Sequence, residues 1–206
     1  MPKIIETCEK IRSRVELVPG IILFGNALAD IDDISKAIAT EIQLEQRFFI
    51  GNGERIPFPR KSVTYGDKDT SYQQCGSLTK PKPWTPALAA LRDRLNARLH
   101  TQVNACTINA YVNGNHSIGW HSDDQPEIVD RIIVVSLGQT RTLLLREHSN
   151  EATQTATPLE TGSILTMTIA SQTTHEHCSP REPADHARLE LTFRTIKTQP
   201  NHQEDV

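Results

Sequence analysis

Downstream of residue 100 the chain breaks into short runs rich in β-branched and apolar residues, at 103–112, 117–121, 131–137, 141–146, 162–169 and 188–196, each closed by turn-forming residues. Short strands punctuated this regularly read as an antiparallel sandwich or barrel. The first hundred residues have a different grain. VELVPGIILF, residues 15–24, reads as a strand folded around Pro19-Gly20. Residues 27–46 place Ile31, Ile34, Ile38 and Ile42 at helical spacing with acids early in the segment, the pattern of an amphipathic helix. A second helix is expected from Pro86, with Leu88, Leu91, Leu95 and Leu99 as its apolar stripe. Between them, residues 50–86 hold Gly51, Gly53, Gly66 and Gly76 and the prolines 57, 59, 81, 83 and 86, which predicts loops and short hairpins. Helices ahead of a β core give an α+β class. With 206 residues and no clear linker, one domain over 1–197 is expected, followed by a flexible tail at 198–206.

A hydrophobic content of 37% and a mean hydropathy of -0.43 are too polar for a membrane protein and too apolar for a disordered chain. No apolar run approaches the ~18 residues of a spanning helix, and the N-terminus lacks a signal-peptide stretch. The expected location is therefore the cytoplasm, at the nucleoid, or the nucleus, with no secretion. Cys8, Cys75, Cys106 and Cys178 are scattered without a C-x-x-C pair and read as reduced thiols. The formal charge is -3, yet residues 54–98 carry nine Lys and Arg against four acids, leaving thirteen bases and twenty-one acids elsewhere. Such an asymmetry is either ordinary solvated charge or a positive face offered to phosphates on an acidic protein.

His121 and Asp123 form an H-x-D triplet at the end of the 117–121 run, where strand alternation puts both on one face. The triplet is weakly specific alone. A second histidine downstream, His175 or His177, would complete a set of two imidazoles and one carboxylate, the facial arrangement that leaves open positions on ferrous iron. The last strand, Arg188-Leu-Glu-Leu-Thr-Phe-Arg194, puts its even positions, both arginines included, on one face and Leu189, Leu191 and Phe193 on the other. Arginines on a barrel interior either pair with acids at an edge or hold an anion, and a guanidinium fork suits a dicarboxylic cosubstrate.

Taken in order, Pro59-Arg-Lys-Ser-Val-Thr-Tyr-Gly-Asp67, Lys82-Pro-Trp84, Ile108-Asn-Ala-Tyr111, the H-x-D-D at 121–124, Ser136-Leu-Gly138, Gly162-Ser163 and the final R-x5-R resemble the AlkB-type Fe(II)/2-oxoglutarate dioxygenases, most of all the DNA-repair subgroup. The resemblance implies a double-stranded β-helix, or jelly roll, over 103–196, with helices outside it and a nucleotide-recognition region at about 46–86. It implies Fe(II) as cofactor, with 2-oxoglutarate and O2 as cosubstrates. Its iron ligands would be His121, Asp123 and His177; His177 is favoured over His175 by the Cys178-Ser179-Pro180 turn that follows. Arg194 would grip the distal carboxylate of 2-oxoglutarate and Arg188 the carboxylate near the metal, with Asn109 and Tyr111 hydrogen-bonding the cosubstrate. Asp124 would lie near a flipped base, and Tyr65 and Arg60 in the nucleotide pocket.

The implied activity is oxidative demethylation of bases such as 1-methyladenine or 3-methylcytosine in DNA, coupled to 2-oxoglutarate decarboxylation and releasing formaldehyde. The implied protein is a monomer acting on single- or double-stranded DNA, with no membrane partner. Gln74 stands where many relatives carry a stacking aromatic, a loss of ~1–3 kcal/mol per base contact that Tyr72, Tyr65 or Trp120 would have to offset. Phe49, Ile50 and Phe58 are candidates for a duplex-probing wedge. The competing readings are the same iron chemistry on RNA, protein or a small molecule, and a non-catalytic nucleic-acid-binding module.

Overall fold

The computed structural model describes residues 13–28, 30–74 and 77–198. Cys8, Cys75 and the tail from Gln199 onward lie outside the described residues. Strands β1 (Ser13–Val18) and β2 (Ile21–Gly25) flank the expected turn, where Gly20 has a φ of +82°. A Cβ at Gly20 would lie 2.4 Å from the Thr168 hydroxyl, so only glycine fits that turn.

Helix α1 (Ile31–Glu41) is shorter than the 27–46 segment expected. Ile42 is already extended, and Glu45–Gly51 forms β3. Tertiary partners compete with helical propensity here: the Gln43 N–H donates to the Tyr65 hydroxyl at 3.0 Å, and Glu41 accepts from the Ala87 N–H at 2.9 Å. The isoleucine stripe still does its work, with Ile38 fully buried and Ile31, Ile34 and Ile42 packed on the core.

The expectation of loops over 50–86 is corrected by β4 (Glu54–Gly66), a strand of 13 residues running through Pro57 and Pro59. Its first half pairs with β3, and its pairing with β7 (Ala105–Tyr111) starts at Lys61. The prolines thus sit where the second edge has no strand partner, its one backbone bond being from the Ser117 N–H to the Pro59 carbonyl, and such a place in a sheet tolerates a missing N–H. Short strands β5 (Tyr72–Gln74) and β6 (Ser77–Thr79) form a small hairpin. Helix α2 (Pro86–Leu99) begins as its sequence predicts, with Thr85 accepting from the Leu88 N–H and Pro86 in the first turn.

The remaining elements are β8 (Ile118–His121), β9 (Ile132–Gly138), β10 (Arg141–Glu147), β11 (Asn150–Leu159), β12 (Ile164–Met167), α3 (Ile169–Thr174), β13 (His175–Ser179) and β14 (Arg188–Arg194). Of these, β11, α3 and β13 are absent from the sequence-based expectation. β11 is a polar edge strand and β13 reads HEHCS, so neither carries an apolar alternation to find. A large sheet in the order β1-β2-β12-β9-β14-β7-β4-β3 faces a smaller one in the order β11-β10-β13-β8, all named neighbours being antiparallel.

The large sheet is covered on both sides. Ile133, Val135, Leu191 and Phe193 pack against Leu88, Leu91 and Leu95 of α2, while Ile132, Val134, Leu165 and Met167 meet Leu143, Leu145 and Leu159 of the small sheet. That double burial explains why β9 is apolar at successive positions rather than alternating. The result is an α+β protein with a jelly-roll core.

Candidate active site

Between the two sheets lies a cavity of about 390 Å³, bordered among others by Asn109, His121, Asp123, His177, Glu190, Thr192 and Arg194. Antiparallel pairing of β8 with β13 sets His121 opposite His177, and their rings stand 4.3 Å apart. His121 Nδ1 is 2.8 Å from the Gly119 carbonyl oxygen. Since a carbonyl only accepts, Nδ1 carries a proton, which leaves Nε2 as the ring nitrogen available to a metal. Burial pushes His177 down to about 4, helped by its neighbour His121, so at neutral pH His177 is an uncharged imidazole with a lone pair to give.

Asp123 arrives differently from the sequence expectation. β8 ends at His121, so the carboxylate stands in the following loop rather than two places along the same strand. Its backbone N–H donates to Gln172 Oε1 of α3 at 3.0 Å, which fixes the loop. Both carboxylate oxygens accept from Arg194 Nη2, at 2.8 and 2.7 Å. Burial alone would raise the carboxyl, but the Arg194 charge, with His121 and His177 adding to it, outweighs burial and holds Asp123 at about 2. The same pair raises Arg194 above its ordinary value against the opposing effect of burial.

Two imidazoles and one ionised carboxylate form a donor set of the type that suits ferrous iron. Among the described residues no three such side chains are drawn together at ligating distance, the Asp123 carboxylate being engaged by Arg194. The guanidinium groups also keep capacity in reserve: Nε of Arg188 and Nε of Arg194 are buried without a hydrogen-bond partner. An anion entering this space would meet the unsatisfied Nε of Arg194, which borders the cavity.

Other expected site residues fall in several places. Arg60 borders the cavity, its Nε donating to Asn109 Oδ1 at 2.9 Å and its Nη1 to the Ser117 carbonyl at 3.2 Å. Phe58, Pro59, Trp120 and Gln125 line the same space. Tyr65, expected in the nucleotide pocket, is instead buried in the core beneath α1, since strand parity turns it to the helix side of the large sheet. Asp124, expected near a base, is exposed and outside the cavity wall, because its neighbour Asp123 takes the inward direction. The side chain of Gln74 lies outside the described residues. His175 borders a separate cavity with Val18 and Leu145.

The resemblance puts Arg188 near the metal and Arg194 at the far carboxylate of the cosubstrate. Arg194, not Arg188, lies against Asp123. Arg188 is fully buried and does not reach the cavity, nor does Tyr111. Glu190 stands in front of them and was overlooked at the sequence level, although its even position on β14 is the signal that both arginines share.

A model of the 2OG-Fe(II) oxygenase superfamily matches residues 26–194. The chain belongs to that superfamily. This oxygenase is 33% identical over 192 residues to "DNA oxidative demethylase ALKBH2" of Bos taurus, a match covering 85% of this chain and 67% of the relative. It is 30% identical over 200 residues to "Alpha-ketoglutarate-dependent dioxygenase alkB homolog 3" of Mus musculus, covering 91% and 68%. The solved structure of OsALKBH1 superposes with a TM-score of 0.61 at 17% identity, covering 89% of this chain and all of that one, a likeness of fold. The oxygenase is therefore of the AlkB type, an Fe(II)/2-oxoglutarate-dependent dioxygenase that uses O2.

Proposed function

We propose that this oxygenase removes N-methyl groups from bases such as 1-methyladenine and 3-methylcytosine in DNA, with His121, Asp123 and His177 as the iron ligands. The observation that carries the reading is the His121–His177 pair beside buried, ionised Asp123 on a cavity that also reaches Phe58, Pro59 and Arg60 at the foot of the β3–β4 hairpin. Iron, when bound with 2-oxoglutarate and O2, supplies the oxidising chemistry that converts a methyl C–H to C–OH.

The chain's own side chains prepare that chemistry. The Gly119 carbonyl engages His121 Nδ1–H, leaving Nε2 as the nitrogen that would hold the metal. Arg194 keeps Asp123 deprotonated, and its spare Nε is a donor for the carboxylate beside the metal. Arg188, in this reading, serves the far end of the cosubstrate with Asn109 and Tyr111. Phe58 and Trp120 border the cavity as flat faces on which an extruded base can stack, the contact that Gln74 would not supply. Extrusion costs a few kcal/mol, least for a base whose methyl group already blocks pairing, so damage itself assists selection. A hydroxymethyl group on a ring nitrogen then loses formaldehyde and restores the base.

The hairpin tip carries Ile50 exposed, while Phe49 and Phe58 pack on each other at 5.2 Å, which favours Ile50 as the residue that probes a duplex. The test is mass spectrometry of 1-methyladenine and 3-methylcytosine oligonucleotides, as single-stranded DNA, duplex DNA and RNA, incubated with protein, ferrous iron, ascorbate and 2-oxoglutarate. A loss of 14 mass units per lesion on DNA is expected from replacing a methyl by hydrogen. No loss on DNA, or loss on RNA alone, defeats the proposal.

A further inference from the structure

Glu190 lies on β14 between the two arginines, and its carboxylate is held by the side chains that the resemblance reserves for the cosubstrate. Its Oε2 accepts from Arg188 Nη1 at 2.8 Å. Its Oε1 accepts from Asn109 Nδ2 and from the Tyr111 hydroxyl, each at 3.3 Å. Asn109 is in turn fixed by Arg60, so the four donors and the acid form one connected network. Glu190 borders the cavity, whereas Arg188 and Tyr111 lie behind it.

We propose that Glu190 is a tethered carboxylate seated where the far carboxylate of 2-oxoglutarate would bind, and that 2-oxoglutarate must displace it to be held at both ends. The inference rests on the reading of this cavity as the cosubstrate site.

The physical ground is the capacity of the seat. Arg188 commits one N–H of Nη1 to Glu190 and one of Nη2 to Ser136 Oγ at 3.1 Å, while its Nε is buried with no hydrogen-bond partner at all. A second carboxylate can begin to bind at Nε, but it then faces the Glu190 charge inside a buried site, where two like charges repel strongly. Glu190 must swing into the cavity or take up a proton, and either change offsets what the far carboxylate gains from Arg188. A 2-oxo acid with no far carboxylate never meets this conflict. Glu190 thus sets the specificity of the cosubstrate site, weakening the usual advantage of a dicarboxylic over a monocarboxylic 2-oxo acid.

The test is calorimetric binding, without oxygen and with Mn(II) in place of Fe(II), of 2-oxoglutarate and pyruvate to the wild type and to Glu190→Gln. Gln keeps the shape and removes the charge. In the wild type the affinities for the two acids should agree within about threefold. In Glu190→Gln, 2-oxoglutarate should bind at least about tenfold tighter than in the wild type, as expected when a charge-assisted bond is released to the ligand, with pyruvate unchanged. Wild-type binding of 2-oxoglutarate about tenfold or more tighter than pyruvate, or an unchanged ratio in the variant, overturns the role of Glu190 alone. Should Glu190→Gln fail to fold by circular dichroism, the wild-type ratio decides by itself. Binding of neither acid to either protein overturns the cosubstrate-site reading, and the proposal with it.

Discussion

Replacing Arg194 by Met removes a guanidinium from a pair that is buried on both sides, with side-chain exposures of 6% for Arg194 and 8% for Asp123. Two magnitudes bear on the outcome. Asp123 is held at about 2 against an ordinary 3.8, which at neutral pH corresponds to about 2.5 kcal/mol of stability. The sign follows from the direction: the folded value lies below the unfolded one, so this stability is complete above pH ~4 and lost as pH falls towards 2. Removing the arginine costs more than the pair's net worth, because the carboxylate stays buried without a counter-charge, and such a break typically costs about 3–5 kcal/mol. The larger effect should dominate the single variant. Asp123→Asn leaves the guanidinium unpaired instead, and the double variant leaves neither charge. Urea unfolding of the metal-free protein at pH 7 should therefore show Arg194→Met destabilised by about 3–5 kcal/mol, with the double variant recovering at least about 1.5 kcal/mol relative to the sum of the singles. A double variant whose loss equals that sum within about 0.5 kcal/mol would mean the two groups do not stabilise each other.

Other outcomes follow from the same site. Mn(II) affinity should fall about a hundredfold or more in His177→Ala and stay within about threefold of wild type in His175→Ala, measured by electron paramagnetic resonance; equal losses would contradict the assignment of His177. In the metal-free protein, the imidazole buried at about 4 against an ordinary 6.5 makes the folded state bind fewer protons than the unfolded one, so stability should fall by about 3 kcal/mol as pH drops from 6.5 to 4. His177→Gln should lose correspondingly less over that window by urea titration, and parallel curves for the two proteins would refute the link. Ile50→Asp should leave stability within about 0.5 kcal/mol, because Ile50 is 72% exposed, while lowering turnover on methylated duplex relative to single-stranded DNA. Equal turnover ratios would remove Ile50 from duplex probing.

Local patterns made much of the architecture readable. The leucine stripe of α2, its Thr85-Pro86 start and the Pro19-Gly20 turn depend on neighbours a few residues away, and all are present. The strands missed or misread depend on distant partners. β4 tolerates Pro57 and Pro59 because its first half has a strand partner on one edge alone, a fact of sheet order rather than composition. β13 is polar because it borders the cavity, so hydrophobic periodicity has nothing to detect there.

At the site the division is similar. The H-x-D triplet and the even face of β14 were visible as spacings, yet the direction of Asp124, the burial of Tyr65 and the order of the two arginines were not. Residue order alone settles which side chains share a strand face, because pleating alternates residues whatever surrounds them. Only the stacking of the two sheets decided what each face meets. It brought Arg194 to Asp123, 71 positions earlier in the chain, and put Glu190 rather than Arg188 at the cavity wall. No local rule carries that information, since the energy of such contacts belongs to groups joined only by the folded backbone.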